Sequence, residues 1–232
     1  MRLILGFLIG LVLAAAIAAT AFKVAWGDIA ELEDRDRGAD VSRTVEAADF
    51  TEIEIKGVFE LNVTVGPDYG VTLSGKEEDV ARTKVEVENG RLVLDSVDRE
   101  ENRRARFVKS GVTATVTLPA LNAIDVEGVV DGDIRGINAD AFIADIAGVG
   151  ELEMAGSCVT FDADISGVGE LDAEAFECRT VRIDLSGVGG AKVFASETAE
   201  ADLAGIGKIE IYGSPANVSK TQSGPFGRIS VK

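Results

Sequence analysis

Apolar and polar residues alternate along most of the second half of the chain, and a short glycine motif interrupts the alternation at regular intervals. In its most regular copies the motif reads aspartate, aliphatic, small residue, glycine, valine or isoleucine, glycine. The distance from one leading glycine to the next is 18–20 residues. The leading glycines are Gly128, Gly148, Gly167, Gly187 and Gly205.

The apolar positions keep the same place in every repeat. They lie two, four and six residues before each leading glycine, and four and six residues after it. An apolar residue at every second position is the period of a strand with one buried face. A repeat of about 20 residues made of such strands is typical of stacked coils that bury their inner faces against one another. The sequence therefore predicts a parallel β-helix, right-handed as parallel crossovers generally are.

The glycines are interpreted as the corners of the coils. Glycine adopts positive φ readily and allows two backbones to approach closely, so it suits a corner where stacked coils touch. The predicted corner residues are Gly128, Gly148, Gly150, Gly167, Gly169, Gly187, Gly189, Gly205 and Gly207.

The region from residue 46 to the first repeat alternates less regularly. Asn89-Gly90 separates two short apolar runs and is typical of a type I′ hairpin turn. We expect a less regular N-terminal β layer that is continuous with the coils and covers their first open edge. Residues 46–232 are thus predicted to form one β-helix domain.

The first 45 residues have a different character. An unbroken run of apolar and small residues covers 3–21 and ends in Ala19-Thr20-Ala21, which favours a secretory signal peptide. The run is also long enough for an uncleaved membrane anchor. Either alternative predicts an exported protein, in the periplasm or at the cell surface. Residues 22–45 are charged, lack a sustained period and are predicted to be a linker.

The charge narrows the classes of partner. With 40 acidic and 23 basic residues the formal net charge is −17, which disfavours nucleic acid and anionic lipid. Any membrane contact is therefore expected only through the N-terminal segment, if it is uncleaved. The chain has no histidine, the commonest general base and a favoured metal ligand. No cofactor is predicted.

The two cysteines occupy the same position on consecutive coils. Cys158 and Cys178 each precede a leading glycine by nine residues, and Ala139 and Ser196 are expected at that position on the flanking coils. A coil spacing of about 4.8 Å lies within the range of Cα distances that a disulfide tolerates. The pair is thus either a disulfide or two small buried residues.

An acidic residue stands three positions before each leading glycine. The five are predicted to point outward and to stack into one column: Asp125, Asp145, Asp164, Asp184 and Asp202. Such a column is either a Ca²⁺ site or a solvated acidic face that opposes aggregation. We favour the acidic face, because the calcium-binding Gly-Gly-x-Gly-x-Asp repeat is absent.

The sequence offers little that is typical of catalysis. Ser166 and Ser186 lie in corners, without the histidine base that a serine nucleophile commonly needs. One basic cluster lies among acidic residues and is interpreted as a solvated loop, although it could also bind an acidic sugar. Its members are Arg99, Arg103, Arg104, Arg106 and Lys109.

Three motifs, taken in order with the Ser-Gly-Val-Gly corners, resemble the bacterial family named "putative auto-transporter adhesin, head GIN domain". They are the opening at residues 50–61, the hairpin at 89–94 and the strand with its proline at 116–121, and the chain then closes with Ile211-Tyr212-Gly213-Ser214-Pro215. The resemblance covers about residues 46–232 and implies one exported β-helix domain with no established catalytic residues. Family corners often read Ser-Gly-Ser-Gly, whereas valine or isoleucine replaces the second serine here.

The expected function is that of a non-catalytic, adhesin-like protein of the cell envelope. It would present a repetitive acidic face to a polysaccharide or an envelope protein. Two alternatives stay open: a polysaccharide lyase or hydrolase built on a β-helix, and a structural ectodomain held by an uncleaved N-terminal helix.

Overall fold

The computed structural model describes residues 38–96, 111–223 and 226–232, which form an all-β structure with one short helix. The first group of strands is β1 (Asp40–Val45), β2 (Glu52–Ile55), β3 (Val58–Val65), β4 (Gly70–Lys76), β5 (Thr83–Glu88), β6 (Arg91–Ser96) and β7 (Val112–Leu118). Helix α1 (Glu77–Arg82) joins β4 to β5. The second group is β8 (Ala123–Val126), β9 (Val129–Ile146), β10 (Val149–Ile165), β11 (Val168–Leu185), β12 (Val188–Leu203), β13 (Ile206–Tyr212), β14 (Asn217–Gln222) and β15 (Gly227–Val231).

The repeat strands stack in parallel, and their register follows the sequence repeat. Strands β9, β10, β11 and β12 each run from one glycine corner to the next, and equivalent residues of successive strands are paired. Each strand is 16–18 residues long because it continues through a second bend, where the register shifts. This bend lies between Glu153 and Ala155 in β10 and between Ala173 and Glu177 in β11. The predicted parallel β-solenoid is confirmed, and its right-handedness stays a prediction.

The interior is filled by ladders of apolar side chains, one residue from each coil. Phe142 pairs with Phe161 in the next coil, and both rings contact Phe176 edge to face at centroid distances of 5.4 and 5.1 Å. All three rings are buried. Full burial of such a side chain contributes about 1.5–3 kcal/mol, but only when the neighbouring coil is present to cover it.

The N-terminal layer covers the first edge of the stack, as expected. Strands β4 and β1 pair antiparallel beyond β7, and β5 pairs antiparallel with β6. Asn89 and Gly90, which join β5 to β6, both have positive φ (53° and 81°), as the predicted type I′ turn requires.

The order of coils in space differs from their order in the chain. Strand β2 lies between β6 and β8, and β3 lies between β7 and β9. The β2–β3 coil is therefore inserted between a coil made of β6 and β7 and the first coil of the repeat. The sequence pattern did not predict this insertion.

The sheet begins earlier than the predicted domain boundary. Strand β1 lies within the segment 22–45 that was assigned to a linker, and its six residues pair with Val71–Lys76 of β4. Val41 and Val45 are partly buried against the core, and Arg43 between them is half-buried on the same face, while Ser42 and Thr44 are exposed. The charge of the segment concealed this alternation. Residues 1–37, which include the predicted signal or anchor, lie outside the described residues.

Candidate functional site

The glycine corners bring the backbones of successive coils into direct contact. A Cβ atom on Gly167 would lie 1.9 Å from the carbonyl oxygen of Gly148, and one on Gly148 would lie 2.0 Å from that of Gly128. The same short approach recurs at each predicted corner, so glycine is required by the stacking itself. Positive φ adds to the requirement only at Gly189 (151°) and Gly207 (153°).

The acidic residues before the corners form one continuous ladder, which we call the aspartate ladder. Each member pairs in register with the next across parallel strands. The structure adds Glu54 of β2 to the five predicted aspartates. The sequence feature that could have identified Glu54 as a member is the segment Glu54-Ile55-Lys56-Gly57-Val58, an early copy of the corner motif. The ladder runs Glu54, Asp125, Asp145, Asp164, Asp184 and Asp202.

Most of the aspartate ladder has no counter-charge. Within the described part of the chain, no ion pair involves the last four members, Asp145 to Asp202. Unit charges about 4.8 Å apart repel by about 0.9 kcal/mol even at the dielectric constant of water. Partial burial, followed by the charges of Asp184 and Asp145, raises the pKa of Asp164 above its usual value. The ladder thus carries uncompensated negative charge along the solenoid axis.

The N-terminal end of the ladder is different, because basic side chains already occupy it. Arg91 of β6 approaches Glu54 at 3.7 Å and Asp125 at 3.6 Å, and Lys56 lies 2.6 Å from Glu54. Glu54 is only 7% exposed, so these contacts neutralise a buried carboxylate. Even so, partial burial and then the neighbouring carboxylates raise the pKa of Asp125.

The same end contains the one group of carboxylates, among the described residues, that is close enough to share a metal ion. Single oxygens of Glu54, Asp125 and Glu127 lie within 4.8 Å of one another. Ca²⁺ takes six to eight oxygen ligands, whereas two of these three carboxylates already contact Arg91. The arrangement therefore fits an internal ion-pair network better than a calcium site.

A second acidic row lies on the other side of the corners. We call it the glutamate row, and it is again paired in register from strand to strand. Its acidic members are Glu60, Asp131, Glu151 and Glu170.

A shallow open depression of about 420 Å³ lies beyond the glutamate row, at the second bend of the coils. Its carboxylates include Asp133, which is ion-paired with Arg135, and Asp172, which accepts a 2.6 Å hydrogen bond from Lys192. Burial alone would raise the pKa of Asp172, but the hydrogen bond from Lys192 lowers it below the usual value. A glycosidase needs a general acid of raised pKa beside the substrate. Asp172, whose pKa is lowered, does not meet that requirement.

The residue that follows each leading glycine points outward and is aliphatic. Each member pairs in register with the next, between bare glycine backbone in most coils. We call this the apolar row: Val58, Val129, Val149, Val168, Val188 and Ile206. The corner serines, Ser166 and Ser186, are exposed beside it, and their hydroxyls make no hydrogen bond to any described residue.

Cys158 and Cys178 form a disulfide between consecutive coils, with sulfurs 2.12 Å apart and Cα atoms 4.5 Å apart. Cys158 faces Ala139 on one side, as expected, but Cys178 faces Ala195 rather than Ser196. The register shift at the second bend displaces the pairing by one residue.

Two sequence predictions fall on residues without a described structure. The basic cluster at 99–109 and the apolar segment at 3–21 both lie outside the described residues. In the part of the chain that is described, no helix has the length and apolar character needed to cross a bilayer.

The fold and its corner rows define a parallel β-solenoid whose distinctive surface is repetitive and acidic. The sequence model of the family "putative auto-transporter adhesin, head GIN domain" matches residues 49–215, and the chain belongs to that family.

Several crystal structures resemble this fold. A putative adhesin from Bacteroides fragilis is 24% identical, with 84% of this chain and 97% of that chain covered and a TM-score of 0.69. A putative adhesin and a putative lipid binding protein, both from Parabacteroides distasonis, are each 16% identical. Each covers 84% of this chain and 98% of its own, with TM-scores of 0.43 and 0.44. No curated protein matches the sequence significantly.

Proposed function

We propose that this protein is a non-catalytic, adhesin-like binding domain of the bacterial cell envelope. It presents its repetitive acidic surface to a polymer or to a partner protein. The observation that carries the proposal is the aspartate ladder, whose last four members form no ion pair with any residue that the structure describes. The family name and the adhesin names of similar structures support the same class of function.

The ladder costs stability, because its like charges repel at every step. A ligand with positive charges or hydroxyl donors at a matching repeat would relieve that repulsion when it binds. A rigid solenoid holds the carboxylates in fixed positions, so little conformational freedom is lost on binding. These properties favour a repetitive ligand over a compact small molecule.

The location proposed is outside the cytoplasm. The apolar segment at 3–21 favours export, and the disulfide between Cys158 and Cys178 is compatible with an oxidising compartment. Detection of the protein in periplasmic or surface fractions, and N-terminal sequencing of the mature chain, test this part of the proposal.

The binding test uses the purified full chain and a panel of bacterial and host polysaccharides and envelope proteins, with and without Ca²⁺. Retention and new chain ends are measured in the same samples. Asp145→Asn/Asp164→Asn/Asp184→Asn should weaken retention at least tenfold. Asp140→Asn/Glu177→Gln/Glu197→Gln is the matched control, because it removes three exposed carboxylates that lie off the ladder.

Retention without cleavage, lost only in the ladder variant, supports the proposal. Release of reducing or unsaturated ends would overturn it in favour of a polysaccharide-active enzyme. Equal retention by the ladder variant and the control would show that the ladder is not the binding surface. No retention of any kind would favour the structural ectodomain instead.

A further inference from the structure

The apolar row is a continuous line of exposed aliphatic side chains, one from each coil. Its six members are 43–52% exposed although all are Val or Ile. Gly227 pairs with Gly207, so Phe226, which is 74% exposed, extends the row into the last coil. Seven coils at about 4.8 Å give a line roughly 29 Å long.

Folding alone does not explain this composition. The interior ladders, not the apolar row, supply the buried core. β-Branched residues suit strands, but threonine has the same shape as valine and also favours strands. No threonine stands at any of the seven positions. A continuous exposed apolar line of this kind is typical of an interaction surface.

The charges beside the row define what can bind there. The aspartate ladder runs along one side, and the glutamate row runs along the other over the coils of Val58 to Val168. In the last three coils the position of the glutamate row is taken by Gly190, Lys208 and Arg228. A second copy of this chain would bring acidic rows against acidic rows, which costs binding energy. A partner that covers the first four coils of the apolar row must therefore carry positive charge on both flanks of an apolar centre, and over the later coils on the flank of the aspartate ladder.

The spacing of the row discriminates between shapes of partner. A helix with apolar residues three and four positions apart presents one about every 5.2 Å along its axis. That distance lies close to the coil spacing of about 4.8 Å, whereas same-face residues of a strand are about 6.6 Å apart. Over the six steps between the seven coils, the apolar positions of a helix move out of register with the apolar row by roughly 2 Å, and those of a strand by roughly 11 Å.

We propose that the apolar row is the docking site for a basic amphipathic helix of about 20 residues, lying along the solenoid axis. Its apolar stripe covers the valines, and flanking Lys or Arg side chains reach the aspartate ladder and the glutamate row. This inference rests on the proposed function and names the partner class for the same surface.

The test uses the full chain and a labelled 20-residue peptide with Leu at heptad positions a and d, Lys at e and g, and Ala elsewhere. A second peptide has the same composition with Leu at every second residue, and a third is oligolysine. Fluorescence anisotropy gives the affinities, and circular dichroism reports helix formation by the peptide. The heptad peptide should bind at least tenfold more tightly than either other peptide and gain helix on binding.

Protein variants locate the site. Val168→Ser/Val188→Ser should weaken binding of the heptad peptide at least tenfold. Ile143→Ser/Val159→Ser removes two aliphatic side chains that are similarly exposed, at 57% and 42%, but lie off the row. This control should keep the affinity within twofold of the unmodified chain. All four positions are on the surface, so unfolding midpoints should change little.

Three results would overturn the inference: equal effects of the two double variants, oligolysine that binds as tightly as the heptad peptide, or no binding of the heptad peptide. Sedimentation that shows a dimer dissolved by Val168→Ser/Val188→Ser would also overturn it, with a second copy as the occupant. If the heptad peptide fails while ladder-dependent polymer binding persists, the inference fails and the proposed function stands. If both fail, the proposed function fails with it.

Discussion

Replacing a corner glycine by alanine tests the central structural argument. In Gly167→Ala the new Cβ would lie 1.9 Å from the carbonyl oxygen of Gly148, a backbone atom that cannot rotate away. Two hydrogen bonds cross the same contact: the Val168 amide donates to Gly148, and the Gly167 amide donates to Ile146, each at 3.0 Å. The two coils must therefore separate locally.

The expected loss in the free energy of unfolding follows from these contacts. Overpacking costs about 1–3 kcal/mol, and weakening two backbone hydrogen bonds costs about 1 kcal/mol each. Alanine restricts the unfolded chain and returns about 0.4–1 kcal/mol. We expect the free energy of unfolding to fall by roughly 2–5 kcal/mol.

The assay is urea unfolding followed by far-UV circular dichroism, with the slope compared between variants. Gly66→Ala is the matched control, because a Cβ at Gly66 meets no atom within 4 Å and its φ is not positive. The control should stay within about 0.5 kcal/mol of the unmodified chain. If Gly167→Ala unfolds at the same urea concentration as the control, close backbone approach does not explain the corner glycines.

Three further predictions concern stability. Loss of the Cys158–Cys178 bond, which closes a loop of 20 residues, should cost about 3 kcal/mol, measured as thermal unfolding with and without dithiothreitol. Asp164→Asn should stabilise the fold at pH 7 by at most about 1 kcal/mol. Burial and like charges raise the folded-state pKa of Asp164 above its unfolded-state value, so the stability of the unmodified chain falls as pH rises between these two values. The stabilisation by Asp164→Asn should therefore shrink on acidification. Arg91→Gln should cost about 1–2 kcal/mol in urea unfolding, because the buried Glu54 carboxylate loses one of its two basic partners and keeps only Lys56. Arg182→Gln, which removes an exposed ion pair, should change little.

The repeat region was predictable because its contacts are periodic in the sequence. Each coil pairs with coils 18–20 residues away, and the alternation of apolar residues states which face is buried. The same periodicity placed Cys158 beside Cys178 and stacked the aspartates. The observed pairing of residues agrees with the register of the sequence repeat in the parts of each strand near the glycine corners, where the motif repeats without insertions.

The alternation of apolar residues did not predict the strand pairing correctly where the repeat is interrupted. At the second bend the register shifts, so Cys178 faces Ala195 although simple counting indicated Ser196. Strand β1 was assigned to a linker because the charged run at residues 31–37 dominates the segment 22–45, and the alternation in β1 is too short to form a sustained period. Local sequence does not specify how a bulge or a short edge strand is paired.

The sequence by itself determined the solenoid, its corners and its acidic ladder, because these follow from the repeat of 18–20 residues. The tertiary structure alone decided that β2 and β3 lie between β6–β7 and the repeats. That insertion adds Glu54 to the ladder and brings Arg91 to its end. These contacts join residues far apart in the chain, so no local period of the sequence indicates them.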